Sequence, residues 1–420
     1  MAHLTRALRH RNYRLFFGGQ TVSLVGTWLT RIATAWLVYR LTKSELLLGV
    51  VGFAGQIPLR VLGPIGGVVS DRFDRHKILV WTQVLSALQS LALAVLAFTH
   101  ITVAEIIVLQ VIQGIINALD TPARQAFVVE MVTDREDLPN AIALNSAMFN
   151  GSRIIGPSVG GVLIAAFGEG WCFMIDAISY VAVIISLVLM KFVREPRLKT
   201  DKHVVEELRE GFHYVARFAP VRALLMIVTI VSIFGTPYMT LMPAIAASVL
   251  HGGPHTLGAL MTASGVGAII GTIYLASRHS VVGLGKVIVA ATAGMSVALV
   301  AFAMTHNVIV ATLIVPFVGA GMMLQSACSN TILQTVVDER MRGRVMAFYS
   351  MAVMGAMPIG SLIAGIVAEK IGSQDTIIAG AAVCLAGAIY FAFRRPALAA
   401  LIRPIYIERG IMEPIAETTG

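Results

Sequence analysis

Residues 46–77 read LLLGVVGFAGQIPLRVLGPIGGVVSDRFDRHK. The apolar part, 46–69, contains a single charged side chain, Arg60, and five charged residues follow between positions 71 and 77. A helix needs about 20 apolar residues to cross the hydrocarbon core of a bilayer. The stretch therefore predicts a membrane-spanning helix that ends in a charged loop.

The composition of the whole chain agrees with a membrane protein. Of its 420 residues, 57% are apolar and 13% are charged, whereas soluble domains are about one quarter charged. A soluble chain of this length cannot remove so much apolar surface from water. The three cysteines are odd in number and lie in apolar runs, so we interpret them as core residues rather than as a disulfide set or a metal site.

The pattern of residues 46–77 recurs along the chain and predicts an all-α polytopic membrane protein with twelve transmembrane helices. We expect a six-helix bundle at 1–192, a cytoplasmic linker with an amphipathic helix at 193–220, a second six-helix bundle at 221–393 and a cytoplasmic tail at 394–420. The predicted spans lie near 15–39, 46–69, 78–98, 103–127, 141–167, 171–192, 221–249, 255–277, 286–305, 308–333, 344–370 and 375–393.

Basic residues collect on one side of this topology. Of the 32 lysines and arginines, 26 lie in the termini, the linker and the loops on their side, and three lie in the opposite loops. The remaining three are Arg31, Arg60 and Arg153, inside spans. Because basic loops stay in the cytoplasm, we predict a cell-membrane protein with both termini cytoplasmic. The net charge of +9 is then explained by topology, and a nucleic-acid partner is not expected.

The chain contains an internal repeat. A shift of 204 residues aligns 134–168 with 338–372 without gaps, and eight of the 35 positions are identical, including four glycines. Duplicated halves are typical of secondary transporters, whose substrate path lies between the halves.

Polar and aromatic side chains inside the predicted spans are candidates for such a path, because polar groups are costly in lipid. In the fourth span they recur every three or four residues, on one helical face. The alternative for each is a hydrogen bond between helices that only stabilises the bundle. The predicted pathway residues are Trp28, Arg31, Gln56, Arg60, Gln113, Asn117, Asn145, Phe149, Arg153 and Gln325.

The charged loop after residue 69 carries a motif. Gly67, Asp71, Arg72 and Arg75 resemble the loop signature G-x-x-x-D-R-x-G-R-R/K of the major facilitator superfamily, with Asp74 where that family usually has glycine. We expect Asp71 to pair with an arginine or a neighbouring helix and to hold the cytoplasmic side closed. The alternative is a solvated charge run that only fixes topology.

A second motif lies in the fifth span. Gly156, Pro157, Gly160 and Gly161 are similar to the G-P-x-x-G-G motif of exporters in that superfamily, and small residues at this spacing let helices pack closely. The alternative is packing alone. Residues 26–42, 118–132 and 135–150 resemble the secretion-effector branch, which includes enterobactin-type siderophore exporters. Gln110 stands where many proton antiporters of the superfamily have arginine.

The resemblance implies an exporter of amphipathic small molecules, siderophore-like or drug-like, that works by alternating access on an ion gradient, with H⁺ as the coupling ion. Asp120 is the first candidate to carry the proton, and Asp176 is the reserve. With Arg31, Arg60 and Arg153 they leave one excess positive charge, which favours an anionic or phenolic cargo.

Alternatives within the membrane remain open: a lipid or lysolipid translocase, or a sensor or membrane assembly factor without transport. The sequence contains no G-x-x-x-x-G-K-[ST], H-E-x-x-H, C-x-x-C or G-x-S-x-G motif, so we expect no enzyme, no cofactor and no metal site. We expect a monomer surrounded by membrane lipids.

Overall fold

The computed structural model describes residues 5–132, 134–191, 204–278 and 280–413. These residues are almost entirely helical, and no strand occurs among them. The helices are α1 (Arg11–Thr42), α2 (Glu45–Arg72), α3 (Arg75–Phe98), α4 (Val103–Met131), α5 (Leu138–Phe167), α6 (Glu169–Val188), α7 (Val204–Arg217), α8 (Ala219–Ile230), α9 (Tyr238–Ala244), α10 (Pro254–Ala276), α11 (Leu284–Met304), α12 (Val308–Val336), α13 (Glu339–Ser350), α14 (Ala356–Ile371) and α15 (Ser373–Glu408).

Eleven helical segments in the described ranges are long and apolar enough to cross a membrane. Two of these segments contain π-helical turns between shorter α-helices: α8 and α9 form the segment Ala219–Val249, and α13 and α14 form Glu339–Ile371. The twelfth predicted span is α5, a helix of 30 residues whose mid-helix Asn145, Asn150 and Arg153 reduce its hydropathy. The predicted all-α polytopic fold is confirmed.

The ends of two predicted segments can be compared with the helices. The sequence predicts the last span at 375–393, whereas α15 continues to Glu408, because its second part remains rich in alanine and isoleucine. The predicted linker helix is α7, of which Arg209–Arg217 can be described with side chains.

Helix ends are set by local side chains. The Ser44 hydroxyl accepts from Leu47 N at the start of α2, and Thr102 and Glu105 form a reciprocal capping box at the start of α4. Gly168 and Gly372, equivalent in the internal repeat, have φ of 87° and 86° between α5 and α6 and between α14 and α15. A side chain would be strained at this φ, so the repeat preserves a turn as well as a sequence.

One compact unit contains Met1–Thr200, Thr240–Gly265 and Ser361–Lys370. In it α1 packs on α5 and α6, α2 packs on α4, and α3 packs on α4 and α6. A buried cluster that includes Tyr13, Phe16 and Phe127 lies where α1 begins.

The second compact unit contains Asp201–Met239, Val266–Gly360 and Ile371–Gly420. Here α11 packs on α12 and α15, around a core that includes Leu224, Ile288 and Phe391. Cys172, in the first unit, and Cys328 and Cys384, in the second, are free and buried. The domain boundaries at 192, 220 and 393 stay predictions.

Candidate transport pathway

Four of the predicted pathway residues come together between α1 and α5. The Trp28 ring packs edge-on against Phe149, with ring centroids 6.2 Å apart. The Arg31 guanidinium carbon lies 5.1 Å from the centroid of the Trp28 ring, within the range of a cation–π interaction. Arg153 is close enough to Arg31 for the two charges to act on each other. We call Trp28, Arg31, Phe149 and Arg153 the arginine–aromatic cluster.

The cluster is short of negative charge. Within the described parts of the chain, Arg31, Arg60 and Arg153 form no ion pair and no hydrogen bond, and the buried Nε atoms of Arg60 and Arg153 have no partner. Charged residues at membrane depth normally pair or face water. Arg31 and Phe149 are exposed, so the cluster can be reached by a ligand.

Gln56 and Arg60 lie elsewhere, on α2. Gln56 Nε2 donates to Gly52 O in its own helix, at 3.3 Å. Among the residues that the structure describes, no hydrogen bond, ion pair or ring contact joins this pair to the arginine–aromatic cluster.

The polar face of α4 contacts neighbouring helices. Gln113 Nε2 donates to Ser86 Oγ on α3 and to Asn117 Oδ1, both at 3.2 Å. Gln110 Nε2 lies 3.5 Å from Thr34 Oγ1 on α1. The stripe therefore joins α4 to α1 and α3 along much of its length.

Asp120, further along the same face, is buried, and both of its carboxylate oxygens have partners. Its Oδ1 accepts from Thr82 Oγ1 at 2.9 Å and from Gln83 Nε2 at 2.8 Å, and its Oδ2 lies 3.1 Å from Arg124 Nη2. Asp120 therefore has one cationic and two neutral partners.

Asp176 on α6 has a different environment. The side chain is buried, and its Oδ2 accepts from Thr30 Oγ1 on α1 and Ser90 Oγ on α3, both at 2.8 Å. Its Oδ1 is buried without a hydrogen-bond partner, and no basic side chain pairs with it in the described ranges. Asp176 is thus a carboxyl whose described partners are hydroxyl groups.

Two further pathway candidates lie outside the cluster. Asn145 Oδ1 accepts from Tyr13 OH at 3.0 Å, which joins α5 to the beginning of α1. Gln325, in the second unit, is buried, and its Nε2 has no hydrogen-bond partner among described atoms.

The charged loop motif forms an ion-pair network. Arg75 contacts Asp71 at 3.1 Å and Glu130, at the end of α4, at 2.8 Å. Asp71 and Arg72 are exposed, and Gly67 has open space beside it. Sequence reasoning missed Glu130, because only the fold brings α4 beside this loop.

The departure from the family motif has a structural role. Asp74, which stands where the family usually has glycine, caps α3 by accepting from His76 N and Lys77 N. The loop therefore ends in a helix cap at the position of the missing glycine.

The second motif packs α5 against two helices. A Cβ at Gly156 would lie 2.3 Å from Trp28 Cβ, and one at Gly160 would lie 2.6 Å from Ile32 Cγ2, both on α1. A Cβ at Gly161 would lie 2.8 Å from Pro254 O, at the start of α10. These distances require glycine, because only small residues let helices approach so closely.

Sequence reasoning also missed a polar face on α3. Its five members are buried and repeat at helical spacing, which was the signal that could have shown them. They contact Asp120, Asp176 and α4, and they are Thr82, Gln83, Ser86, Gln89 and Ser90.

Comparison with known proteins now identifies the family. The model of the transmembrane secretion effector family matches residues 4–404. The chain belongs to this family of the major facilitator superfamily. The predicted resemblance is confirmed, and the family is one of transporters rather than enzymes.

Several relatives are transporters by name. The chain is 27% identical to the staphyloferrin A transporter of Staphylococcus aureus (91% of this chain, 96% of that one) and 24% identical to macrolide efflux protein A of Streptococcus pyogenes (87% and 92%). It is 22% identical to the enterobactin exporter EntS of Citrobacter koseri (91% and 90%).

A solved structure supports the fold. A mutant of the peptide transporter POT aligns with a TM-score of 0.74 at 12% identity, covering 93% of this chain and 95% of that one. At this identity the likeness shows the major facilitator fold and nothing of the cargo.

Proposed function

We propose that the protein exports anionic, partly apolar small molecules of siderophore-like chemistry across the cell membrane by alternating access. The observation that carries the proposal is the arginine–aromatic cluster, in which Arg31 lies over the Trp28 ring and Trp28 packs against Phe149. The charge of Arg153 acts on that of Arg31, and neither guanidinium has an anionic partner in the described chain. A cargo carboxylate or phenolate would supply the missing negative charge, because charge-assisted hydrogen bonds to arginine are strong. The apolar body of the cargo would pack on Trp28 and Phe149.

The relatives support this choice of cargo. Two of the three named above are, by their names, transporters of siderophores, staphyloferrin A and enterobactin. The third is named for macrolides, so a drug-like cargo is the competing class. The two uncompensated arginines favour the anionic class over a cationic one.

We further propose that an H⁺ gradient drives transport and that both termini are cytoplasmic. The excess of basic residues in the loops on the terminal side supports this orientation. The Arg75 network at the charged loop, with Asp71 and Glu130 as partners, supports a gate on that side that must break in each cycle.

Transport by everted membrane vesicles tests the cargo. We would measure accumulation of a hydroxycarboxylate siderophore, a catecholate siderophore and a cationic macrolide, with and without an imposed pH gradient. We expect accumulation of the siderophores and little of the macrolide. Accumulation of the macrolide alone would overturn the anionic class, and accumulation of none would favour a function without transport.

Binding by the purified protein tests the cluster. Arg31→Gln and Arg153→Gln should each weaken siderophore binding by roughly 10-fold to 100-fold, the equivalent of one charged hydrogen bond. Arg11→Gln is the matched control, because Arg11 is exposed at the start of α1. Unchanged affinity in both cluster variants would remove the cluster from the cargo site.

A further inference from the structure

A charged cavity lies in the second compact unit, whereas the arginine–aromatic cluster belongs to the first. It has a volume of about 750 Å³ and lies between α7 and the chain around the start of α13. Three basic side chains of α7 line it, Arg209, His213 and Arg217. They are four residues apart, so they lie on one face of the helix.

The charges in this cavity are not balanced. Two acidic residues also line it, Glu210 and Asp338. Glu210 is already paired with Arg344 on α13. In the part of the chain that the structure describes, Arg209 and Arg217 form no ion pair and no hydrogen bond. Among the described lining residues, Asp338 is the one acidic side chain outside the Glu210–Arg344 pair, and the cavity has two unpaired guanidiniums, those of Arg209 and Arg217.

The cavity also has an apolar side. Tyr214, Phe218, Met341 and Ile405 line it together with the arginines. A ligand that combines an anionic group with a hydrocarbon part would satisfy both kinds of lining. This combination is the chemistry of an anionic lipid at its headgroup.

The cavity belongs to a packed part of the fold. On α7, Phe212 packs against Phe348 of α13, with ring centroids 6.4 Å apart. A Cβ on Gly211 would lie 3.1 Å from Arg344 Cβ. Together with the Glu210–Arg344 pair, these contacts hold α7 against α13, so the three basic residues keep their positions.

We propose that this cavity binds a phosphate group, and that the phosphate is that of an anionic phospholipid in the leaflet next to the linker helix. Basic pockets at the cytoplasmic face of membrane proteins bind such headgroups, and each basic residue near the surface adds to the attraction. The bound lipid would fasten α7, which joins the two halves of the chain, to the membrane surface. This site is independent of the proposed cargo pathway.

Native mass spectrometry of the purified full-length protein tests the proposal. The delipidated protein would be titrated with phosphatidylglycerol and, separately, with phosphatidylcholine, which has no net charge. We expect preferential binding of phosphatidylglycerol. The double variant Arg209→Gln/Arg217→Gln should weaken that binding roughly 30-fold, as two surface charges are lost.

Two further variants make the result decisive. Arg11→Gln/Arg14→Gln removes the same charge from exposed positions in the first unit and should leave binding unchanged. Arg209→Lys/Arg217→Lys keeps the charge and should retain most of the affinity, which would exclude a folding defect as the cause. Equal phosphatidylglycerol binding by the wild type and the Gln variant of α7 would overturn the proposal.

A separate arm distinguishes the source of the phosphate. Inorganic phosphate and glycerol 3-phosphate would be tested as competitors of phosphatidylglycerol. Failure of both at millimolar concentration would support the lipid, because the apolar side of the cavity then contributes. Displacement of the lipid by inorganic phosphate alone, in an arginine-dependent way, would overturn the lipid assignment and leave a site for free phosphate.

Discussion

Asp176 and Asp120 are both buried carboxyls, but their partners differ. Protonation of Asp120 would leave the nearby Arg124 without its ion-pair partner, which is costly away from water. Protonation of Asp176 breaks no described ion pair, because its described partners are hydroxyl groups. We therefore propose Asp176, the reserve candidate of the sequence, as the residue that carries the proton.

The two asparagine variants separate these candidates. In everted vesicles, Asp176→Asn should lose the response of cargo accumulation to an imposed pH gradient, because an amide cannot exchange a proton. If one proton is exchanged for each cargo molecule, a gradient of one pH unit should raise cargo accumulation by up to about tenfold. Asp120→Asn should retain the response of cargo accumulation to the pH gradient. The amount of folded protein should be lower for this variant. The opposite result would return the role to Asp120.

Asp137 shows how a single carboxylate can hold a terminus. Its buried side chain lies 2.9 Å from His10 Nε2, 2.7 Å from Arg9 Nε and 3.2 Å from Arg6 Nε. The hydrogen bond with His10 lowers the pKa of Asp137 below its ordinary value, and the charges of Arg9 and Arg6 act in the same direction, against the effect of burial. Asn140, which accepts from Ala7 N, adds a further contact between α5 and the terminus.

The lowered pKa of Asp137 sets the pH at which this attachment is lost. A carboxylate with a lowered pKa in the folded protein stabilises it above the unfolded value of about 3.9, and the stabilisation disappears as the pH falls through the folded value. Thermal unfolding at pH 5 should therefore show a higher Tm for the wild type than for Asp137→Asn. The two should converge as the pH falls through the lowered pKa that Asp137 has in the folded protein. An equal Tm at pH 5 would contradict the role of Asp137.

At the scale of helices, sequence periodicity predicted the spans better than their contacts. The stripe on α4 was visible at Gln113 and Asn117, yet the structure shows that it largely joins α3. The matching face of α3, which includes Gln83 and Gln89, is not among the sequence predictions, although its members repeat at helical spacing. Arg31 and Phe149 were found as polar and aromatic candidates, but only the crossing of α1 and α5 places them around Trp28.

The contact of α5 with α10 gives a prediction at this scale. A Cβ at Gly161 would meet backbone atoms, Pro254 O and Gly258 Cα, which cannot rotate away. Gly161→Val should therefore separate the two helices. Thr262 on α10, which is hydrogen-bonded to Ser158 on α5 at 2.7 Å, should become more reactive when replaced by cysteine.

The measurement is the rate at which Thr262→Cys reacts with a soluble maleimide, with the three native cysteines replaced by serine. We expect a severalfold faster reaction in the Gly161→Val background. Gly151→Val is the matched control, because a Cβ at Gly151 meets no atom within 4 Å. Equal rates in both backgrounds would show that the α5–α10 contact does not depend on Gly161.

For the whole molecule, hydropathy and the repeat were sufficient to predict the fold. Gly168 and Gly372 are identical in the aligned repeat and share the same positive φ, so the shift of 204 residues reflects a duplicated backbone. The π-helical turns at Val231–Gly235, Ile245–Val249 and Met351–Gly355 were not predicted. Pro237 and Pro243 lie near the first two and remove backbone donors, but no residue pattern fixed the π geometry.

The orientation of the whole molecule in the membrane gives the last prediction, which rests on the distribution of lysine and arginine. Gly170, at the start of α6, is buried against Phe98 and would be a poor labelling position. His306, exposed between α11 and α12, is a better site, and Gly343, exposed on α13 with open space beside it, is its counterpart. In intact cells that lack the native cysteines, an impermeant maleimide should label His306→Cys at once and Gly343→Cys only after permeabilisation, because basic segments remain in the cytoplasm. The reverse order of labelling would contradict the predicted topology and place both termini outside the cytoplasm.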